Sequence, residues 1–242
     1  MSEIKAAVKD YWTNRSSDFA DLKRDELHSE KYDRWLAKVS EYLPENKCLK
    51  ILDVGCGCGF FTIMLSKMGH DVIGVDLTES MIEEGRKLAE EEGAAAAFCV
   101  MDAEHLDFED ETFDVVISRN LTWTLPHPKE AYNEWLRVLK KGGVIINFDG
   151  EYAKDHHQNE EALPAAHAHS ILTDQQKQKC HQIYHMMEIS VESRPAWDVQ
   201  TLQQLGAARC EVEFNLNNKI YREKDKFYIS ANVFAVKAWK TE

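Results

Sequence analysis

From Lys50 to Asp149 the chain alternates short apolar runs, KILDVG, DVIGVD, AFCVMD, FDVVISRN and GVIINFD, with longer segments of helical periodicity. A run of four to eight apolar residues suits a buried strand, and strands separated by amphipathic helices build βαβ units. The pattern predicts a parallel sheet covered by helices on both faces. Several helix ends are readable. Ser80 with Glu83 is expected to form a capping box, Gly69 and Gly142 to follow last turns, and Pro128 to stand in a first turn.

Two helical segments precede this repeat, with Ile4, Val8, Tyr11 and Trp12 on one face and then Tyr32, Trp35, Leu36, Val39 and Leu43 on another. They read as an N-terminal cap over 1–46, ahead of a core over 47–149. After Asp149 the alternation stops. Residues 150–197 are polar and His-rich, with Pro164 and Pro195 as breakers, and form an insertion before the remaining core, 198–242. There WDVQTLQQLG predicts a helix N-capped by Asp198, and RCEVEFNL and NVFAVKAW predict two closing strands antiparallel to each other.

The net charge is −13, and no run of Lys or Arg is dense enough to follow a phosphate backbone, so nucleic acid is excluded as a partner. No apolar run approaches the ~20 residues that span a bilayer, and no signal-peptide pattern opens the chain, which leads to the expectation of a cytoplasmic protein. The six cysteines are scattered and are expected to be reduced; Cys56 and Cys58 have CxC spacing but lie inside a glycine turn without a second pair to complete a metal site.

That turn, ILDVGCGCGFF, ends the first strand with Gly55, Gly57 and Gly59 on alternate positions and Asp53 two residues ahead. Glycines there allow a tight turn and let a ligand approach backbone N–H groups. A dinucleotide site would have G-x-G-x-x-G, and Asp53 would repel its pyrophosphate. A carboxylate at this point favours a cationic amino acid end, which leads to S-adenosylmethionine.

With LDVGCGCG the chain resembles the class I S-adenosylmethionine-dependent methyltransferases, in particular the small-molecule group that includes the ubiquinone/menaquinone enzymes; the resemblance covers Lys50 to Asp149. It implies an α/β fold: a Rossmann-like, doubly wound, mostly parallel seven-stranded sheet with antiparallel closing strands, a helical N-terminal cap and an inserted lid. It also implies cofactor contacts from Asp53, Gly55, Cys56 and Gly57 in the turn, Asp76 on the ribose hydroxyls, Asp102 and Ala103 on adenine, and Leu77 and Met81 as apolar walls. In the cap, the segment DYWTNRSSDF resembles the part that closes over the methionine end, with Tyr11, Trp12 and Arg15 as candidates and Tyr11 and Arg15 expected among the cofactor contacts. Arg119 is a further candidate, for a carboxylate or for an ion pair.

The loop SRNLTWTLPHP leaves the fourth strand at its carboxyl end, where open parallel sheets bind ligands. Many family members have a His at the position of Trp123, which here offers an aromatic wall or a cation–π surface instead. Tyr152 and Arg194 are the other substrate candidates, the latter through a bidentate fork. Histidines 156, 157, 167, 169, 181 and 185 crowd the insertion, and His181 with His185 has i, i+4 spacing, but without a clear third ligand no metal is expected.

Methyl transfer from a sulfonium needs alignment above all, so no catalytic residue is assigned, and a base is required only for a protonated acceptor. The expectation is an enzyme transferring methyl to a small molecule, a monomer or homodimer without membrane insertion. The rival readings are a cofactor-binding, non-catalytic subunit of the same fold and an NAD-linked dehydrogenase, the latter disfavoured by the glycine spacing. Residues 150–197, with the N-terminal cap, are expected to close over the strand ends and enclose the acceptor.

Overall fold

A computed structural model describes residues 2–45, 48–152, 164, 167, 170 and 172–242 of the chain. Seven strands, β1 (Lys50–Val54), β2 (Asp71–Asp76), β3 (Ala97–Val100), β4 (Phe113–Arg119), β5 (Leu139–Gly150), β6 (Ala207–Glu213) and β7 (Val233–Lys240), form one sheet in the order β3-β2-β1-β4-β5-β7-β6. The first five are parallel, while β7 runs antiparallel to both β5 and β6, as expected for the closing strands. Order reverses between β1 and β4, and a crevice opens there at the carboxyl ends of the strands.

Alternate residues of each central strand enter opposite cores. Ile51, Val115, Ile117, Ile146 and Phe148 join one cluster with helices α3 (Glu30–Tyr42), α4 (Phe60–Lys67) and α5 (Glu79–Glu91). Leu52, Val116 and Ile145 join the other, against α6 (Pro128–Val138) and Leu202 of a later helix. Because both faces are covered, β1 and β4 carry almost unbroken apolar runs. Each fully buried aliphatic side chain contributes about 1.5–3 kcal/mol.

Three helices, not two, precede the sheet: α1 (Glu3–Thr13), α2 (Ser16–Leu27) and α3. Helix α2 was hidden because its buried face includes Lys23 and Glu26, residues that ordinarily mark a solvated side. Trp35 and Val39 of α3 share the sheet's own core, so this part of the cap has no separate interior.

Pro128 opens α6 and Gly69 follows α4 with φ +90°, as read from the sequence. Three other ends differ. Thr78, not Ser80, precedes α5; Ser80 lies inside its first turn, where its hydroxyl is buried without a partner. Gly142 lies within β5, beyond a helix that already ends at Val138, near the register shift between β4 and β5. Asp198 does not cap: it falls inside helix α8 (Ala196–Gln204), drawn into a buried ion pair. A capping box forms instead at Thr173 and Gln176, opening helix α7 (Asp174–Met186) of the insertion. A short α9 (Asn217–Ile220) completes the described helices, none long and apolar enough to cross a membrane.

Helix α7 packs on α1 through Val8, Tyr11, Cys180, Ile183 and Tyr184. The insertion and the cap therefore meet at the strand ends that hold the glycine turn.

Candidate functional site

Gly55, Gly57 and Gly59 adopt φ of +66°, +53° and +81°, the left-handed region that a side chain resists. At Gly55 a Cβ would also lie 2.6 Å from the Leu121 side chain. The turn is tied to its neighbour strand: Cys56 N–H donates to the Val75 carbonyl at 3.0 Å, and Gly57 N–H donates to Asp76 Oδ2 at 3.0 Å. Asp76 also accepts from Thr78 N–H at 2.8 Å. The acid at the end of β2 thus holds both the turn and the start of α5.

Asp53 is 2% exposed and accepts from Thr62 Oγ1 at 2.6 Å. Burial pushes its carboxyl up to about 7 against the opposing effects of the Thr62 hydrogen bond and Arg119. No cation bonds it among the described residues, which leaves a buried acid suited to an ammonium group.

These groups open on a cavity of about 310 Å³. Of the residues singled out in the sequence, Asp53, Gly55, Cys56, Gly57, Asp76 and Leu77 line it, as do Met81, Asp102, Ala103, Arg119, Trp123 and Tyr152. The cap contributes Lys5, Val8 and Trp12 from one face of α1 and Phe19 and Lys23 from one face of α2.

Tyr11 and Arg15 are not on this wall. Tyr11 turns toward α7, packed with Cys180 and Ile183, and its hydroxyl accepts from Arg15 at 3.1 Å. Arg15 is 5% exposed and held in that packing. The stripe of α1 that faces the cavity is the adjacent one, a choice set by the position of α7.

Arg194 is also corrected. Its guanidinium donates to Asp198 at 2.7 and 3.0 Å, to Asp149 at 3.1 Å and to Thr122 Oγ1 at 2.6 Å. All four groups are buried, Asp149 and Asp198 completely. The fork is spent on two buried carboxylates, and Arg194 is not among the residues that line the cavity.

Lys23, Glu26 and Arg119 had no sequence signal as a unit. Glu26 Oε2 accepts from Lys23 at 2.5 Å, and its two oxygens accept from Arg119 at 3.0 and 3.2 Å. Burial and Arg119 push the Lys23 ammonium down to about 8, although Glu26 opposes them. The two cations hold Glu26 down at about 2 despite its burial. Arg119 also lies over the rings of Phe60 and Phe61, 4.3 and 5.0 Å from their centroids. Lys5 reaches from α1 to Asp102 and Glu104, each at 2.6 Å, and closes the cap onto the loop after β3.

Trp123 stacks on Tyr184 of α7 at 4.8 Å between centroids, with Tyr152 at 5.6 Å. Tyr152 Oη donates to Asn120 Oδ1 at 2.6 Å. His167 reaches the cavity from the insertion, its Nε2 2.7 Å from the Tyr228 carbonyl. His181 and His185 stand on α7 with Nε2 atoms 3.3 Å apart, and His156, His157 and His169 lie outside the described residues. Among the described residues no three His, Cys, Asp or Glu side chains are placed to hold a metal ion.

Residues 52–147 match the family model described as a methyltransferase domain. The ubiquinone/menaquinone biosynthesis C-methyltransferase of a Ruegeria species is 40% identical over 121 residues, 46% of this chain and 46% of that protein. The chain spans about half the length of the curated relatives it matches. In fold, an S-adenosylmethionine-dependent methyltransferase of Thermotoga maritima superposes with a TM-score of 0.64 at 18% identity, covering 96% of this chain and 99% of its own. Phosphoethanolamine N-methyltransferase 2 of Haemonchus contortus, in complex with S-adenosyl-L-methionine, gives 0.59 at 20% identity over 86% of this chain and 52% of its own. In the glycine turn, the sheet order and the matched segment, the chain is similar to methyltransferase domains over residues 52–147 and shares the fold of the S-adenosylmethionine-dependent methyltransferases above.

Proposed function

We propose that this protein binds S-adenosylmethionine in the crevice beside β1 and transfers its methyl group to a small-molecule acceptor. The observation that carries the reading is Asp53: a buried carboxyl with no cation hydrogen-bonded to it among the described residues, beside a left-handed glycine turn, in one cavity with Asp76 and Asp102. An ammonium group beside it would supply the missing charge. Asp76, already fixed by two backbone N–H groups, keeps lone pairs for the ribose hydroxyls, and Asp102 and Ala103 meet the adenine. Met81 and Leu77 form apolar walls for the nucleoside.

The cofactor supplies an electrophilic methyl on a sulfonium, and the chain has to align and enclose it. Asp53 and the turn orient the amino acid end. The cap and α7 exclude water from the strand ends, acting as a lid built from Trp12, Phe19 and Tyr184. Trp123, Tyr152 and Tyr184 are the acceptor's wall. Titration calorimetry tests the reading directly: S-adenosylhomocysteine should bind and NAD should not. Binding of NAD with no heat from S-adenosylhomocysteine would reject it.

A further inference from the structure

Lys5, Val8 and Trp12 follow one another at spacings of three and four along α1 and present one stripe of that helix to the cavity. Val8 and Trp12 cover it with apolar surface. Lys5, in the first turn, brings a positive charge to the end of the cavity where Asp102 and Ala103 stand. A lysine placed there has two possible roles. It ties the cap down by an ion pair and nothing more, or it also touches what the cavity holds.

The hydrogen-bonding valences separate the two. An ammonium carries three N–H groups. Lys5 Nζ bonds Asp102 Oδ2 and pairs with Glu104 Oε2, each at 2.6 Å, and it has no third partner among the described residues. Glu104 is fixed from its other side, where Oε1 accepts from His127 N–H at 2.7 Å at the start of α6. With a side chain only 2% exposed, Glu104 anchors the ammonium without being open to a ligand. Asp102 differs: its side chain is 29% exposed. Its Oδ1 accepts from Glu104 N–H at 3.0 Å and its Oδ2 from Lys5, which leaves a lone pair on each oxygen. Burial works against the charge on Lys5, but the hydrogen bonds to Asp102 and Glu104 hold its pKa above the ordinary value, so the donor stays protonated.

One acceptor and one donor, 2.6 Å apart, are therefore left on the cavity wall. Asparagine and glutamine side chains read adenine with this combination, accepting from the exocyclic N6 amine and donating to N7. Lys5 and Asp102 assemble the same combination from two side chains, with a full charge on the donor. We propose that Lys5 is a specificity-determining residue of the nucleoside site, donating to adenine N7 while Asp102 accepts from the N6 amine. The ion pair that fastens α1 to the loop after β3 then reads two adjacent positions of the base as well. This inference rests on the S-adenosylmethionine reading and goes beyond it, since that reading needs only Asp102 and Ala103 at the adenine.

The test compares S-adenosylhomocysteine with its 7-deaza analogue, in which a C–H group replaces N7 and the N6 amine is kept. Titration calorimetry on the full chain gives both dissociation constants for the wild type, Lys5→Met and Lys5→Arg, and thermal melting reports whether each variant is folded. The wild type should bind the 7-deaza analogue at least about tenfold more weakly, the loss expected of a hydrogen bond from a charged donor. Lys5→Met keeps the length of the side chain and removes the donor, so it should bind the two ligands within twofold of each other. Lys5→Arg should recover part of the discrimination. A lysine that only fastens the cap would change both constants together and leave their ratio untouched. Equal binding of the two ligands by the wild type, or an undiminished ratio in Lys5→Met, would overturn the assignment, and the first of these is read without any variant. Failure of the wild type to bind S-adenosylhomocysteine would instead overturn the cofactor reading beneath it.

Discussion

The carboxylate of Asp76 accepts the backbone N–H of Gly57 at 3.0 Å, so the acid expected on the ribose also buttresses the turn expected under the methionine end. A hydrogen bond to a charged group contributes about 1.5–3 kcal/mol, and Asp76 makes two to backbone before any ligand arrives.

Asp76→Ala should therefore act on two ends of the cofactor together. The affinity for S-adenosylhomocysteine is expected to fall about 100-fold, more than one lost ribose contact would cost, with faster amide exchange at Gly57. Adenosine alone, which does not use the glycine turn at the amino acid end, should lose less. Equal losses for the two ligands would show that the buttress is unimportant.

Asp53 makes the cofactor's affinity depend on pH. Burial holds its carboxyl at about 7, so below that value the acid is neutral in the free protein. A bound ammonium favours the ionised form and lowers the value, so binding releases a proton whenever Asp53 starts protonated. Affinity for S-adenosylhomocysteine should rise from pH 5.5 toward 7 and level off above it, with a slope of at most about tenfold per pH unit. Calorimetry in two buffers of different ionisation heat would count the proton. A flat profile, or one persisting in Asp53→Asn, would assign the linkage elsewhere.

Glu26 gives the fold a separate pH dependence. Its value in the folded protein is about 2 against an ordinary 4.5, lowered by Arg119 and Lys23. The stabilisation, about 3 kcal/mol, is fully present above 4.5 and is lost as pH falls toward 2. Glu26→Gln should destabilise the protein by about 3–5 kcal/mol near pH 7, because two buried cations then face each other. Urea unfolding should show the gap between wild type and variant narrowing with acid. A constant gap would mean that Glu26 contributes by packing alone.

The parallel core was legible because Ile51, Leu52, Val115 and Val116 are buried on both sides of one sheet, which forces unbroken apolar runs. Asp53 and the glycines were legible because acid, spacing and strand end coincide locally. Lys23 and Glu26 were not, since an i, i+3 ion pair reads as solvated unless the element above it is known. Tyr11 and Trp12 are neighbours in sequence, yet only Trp12 reaches the cavity, and that depends on where α7 packs.

Arg194 separates a structural cation from a binding one. Its side chain is 3% exposed and joins Asp149 on β5 to Asp198 on α8, while Tyr132 Oη donates to Asp198 at 2.5 Å. Removing the guanidinium leaves two carboxylates in the interior without a counter-charge, an arrangement that costs about 3–5 kcal/mol. Arg194→Met keeps most of the volume and none of the charge, and should lower the melting temperature by about 10 °C or more. The affinity of the remaining folded protein for S-adenosylhomocysteine should be unchanged within twofold. Adding Asp198→Asn should recover part of the lost stability, because it removes one of the uncompensated charges. A variant that melts like the wild type but no longer binds an acceptor probe would return Arg194 to the substrate site.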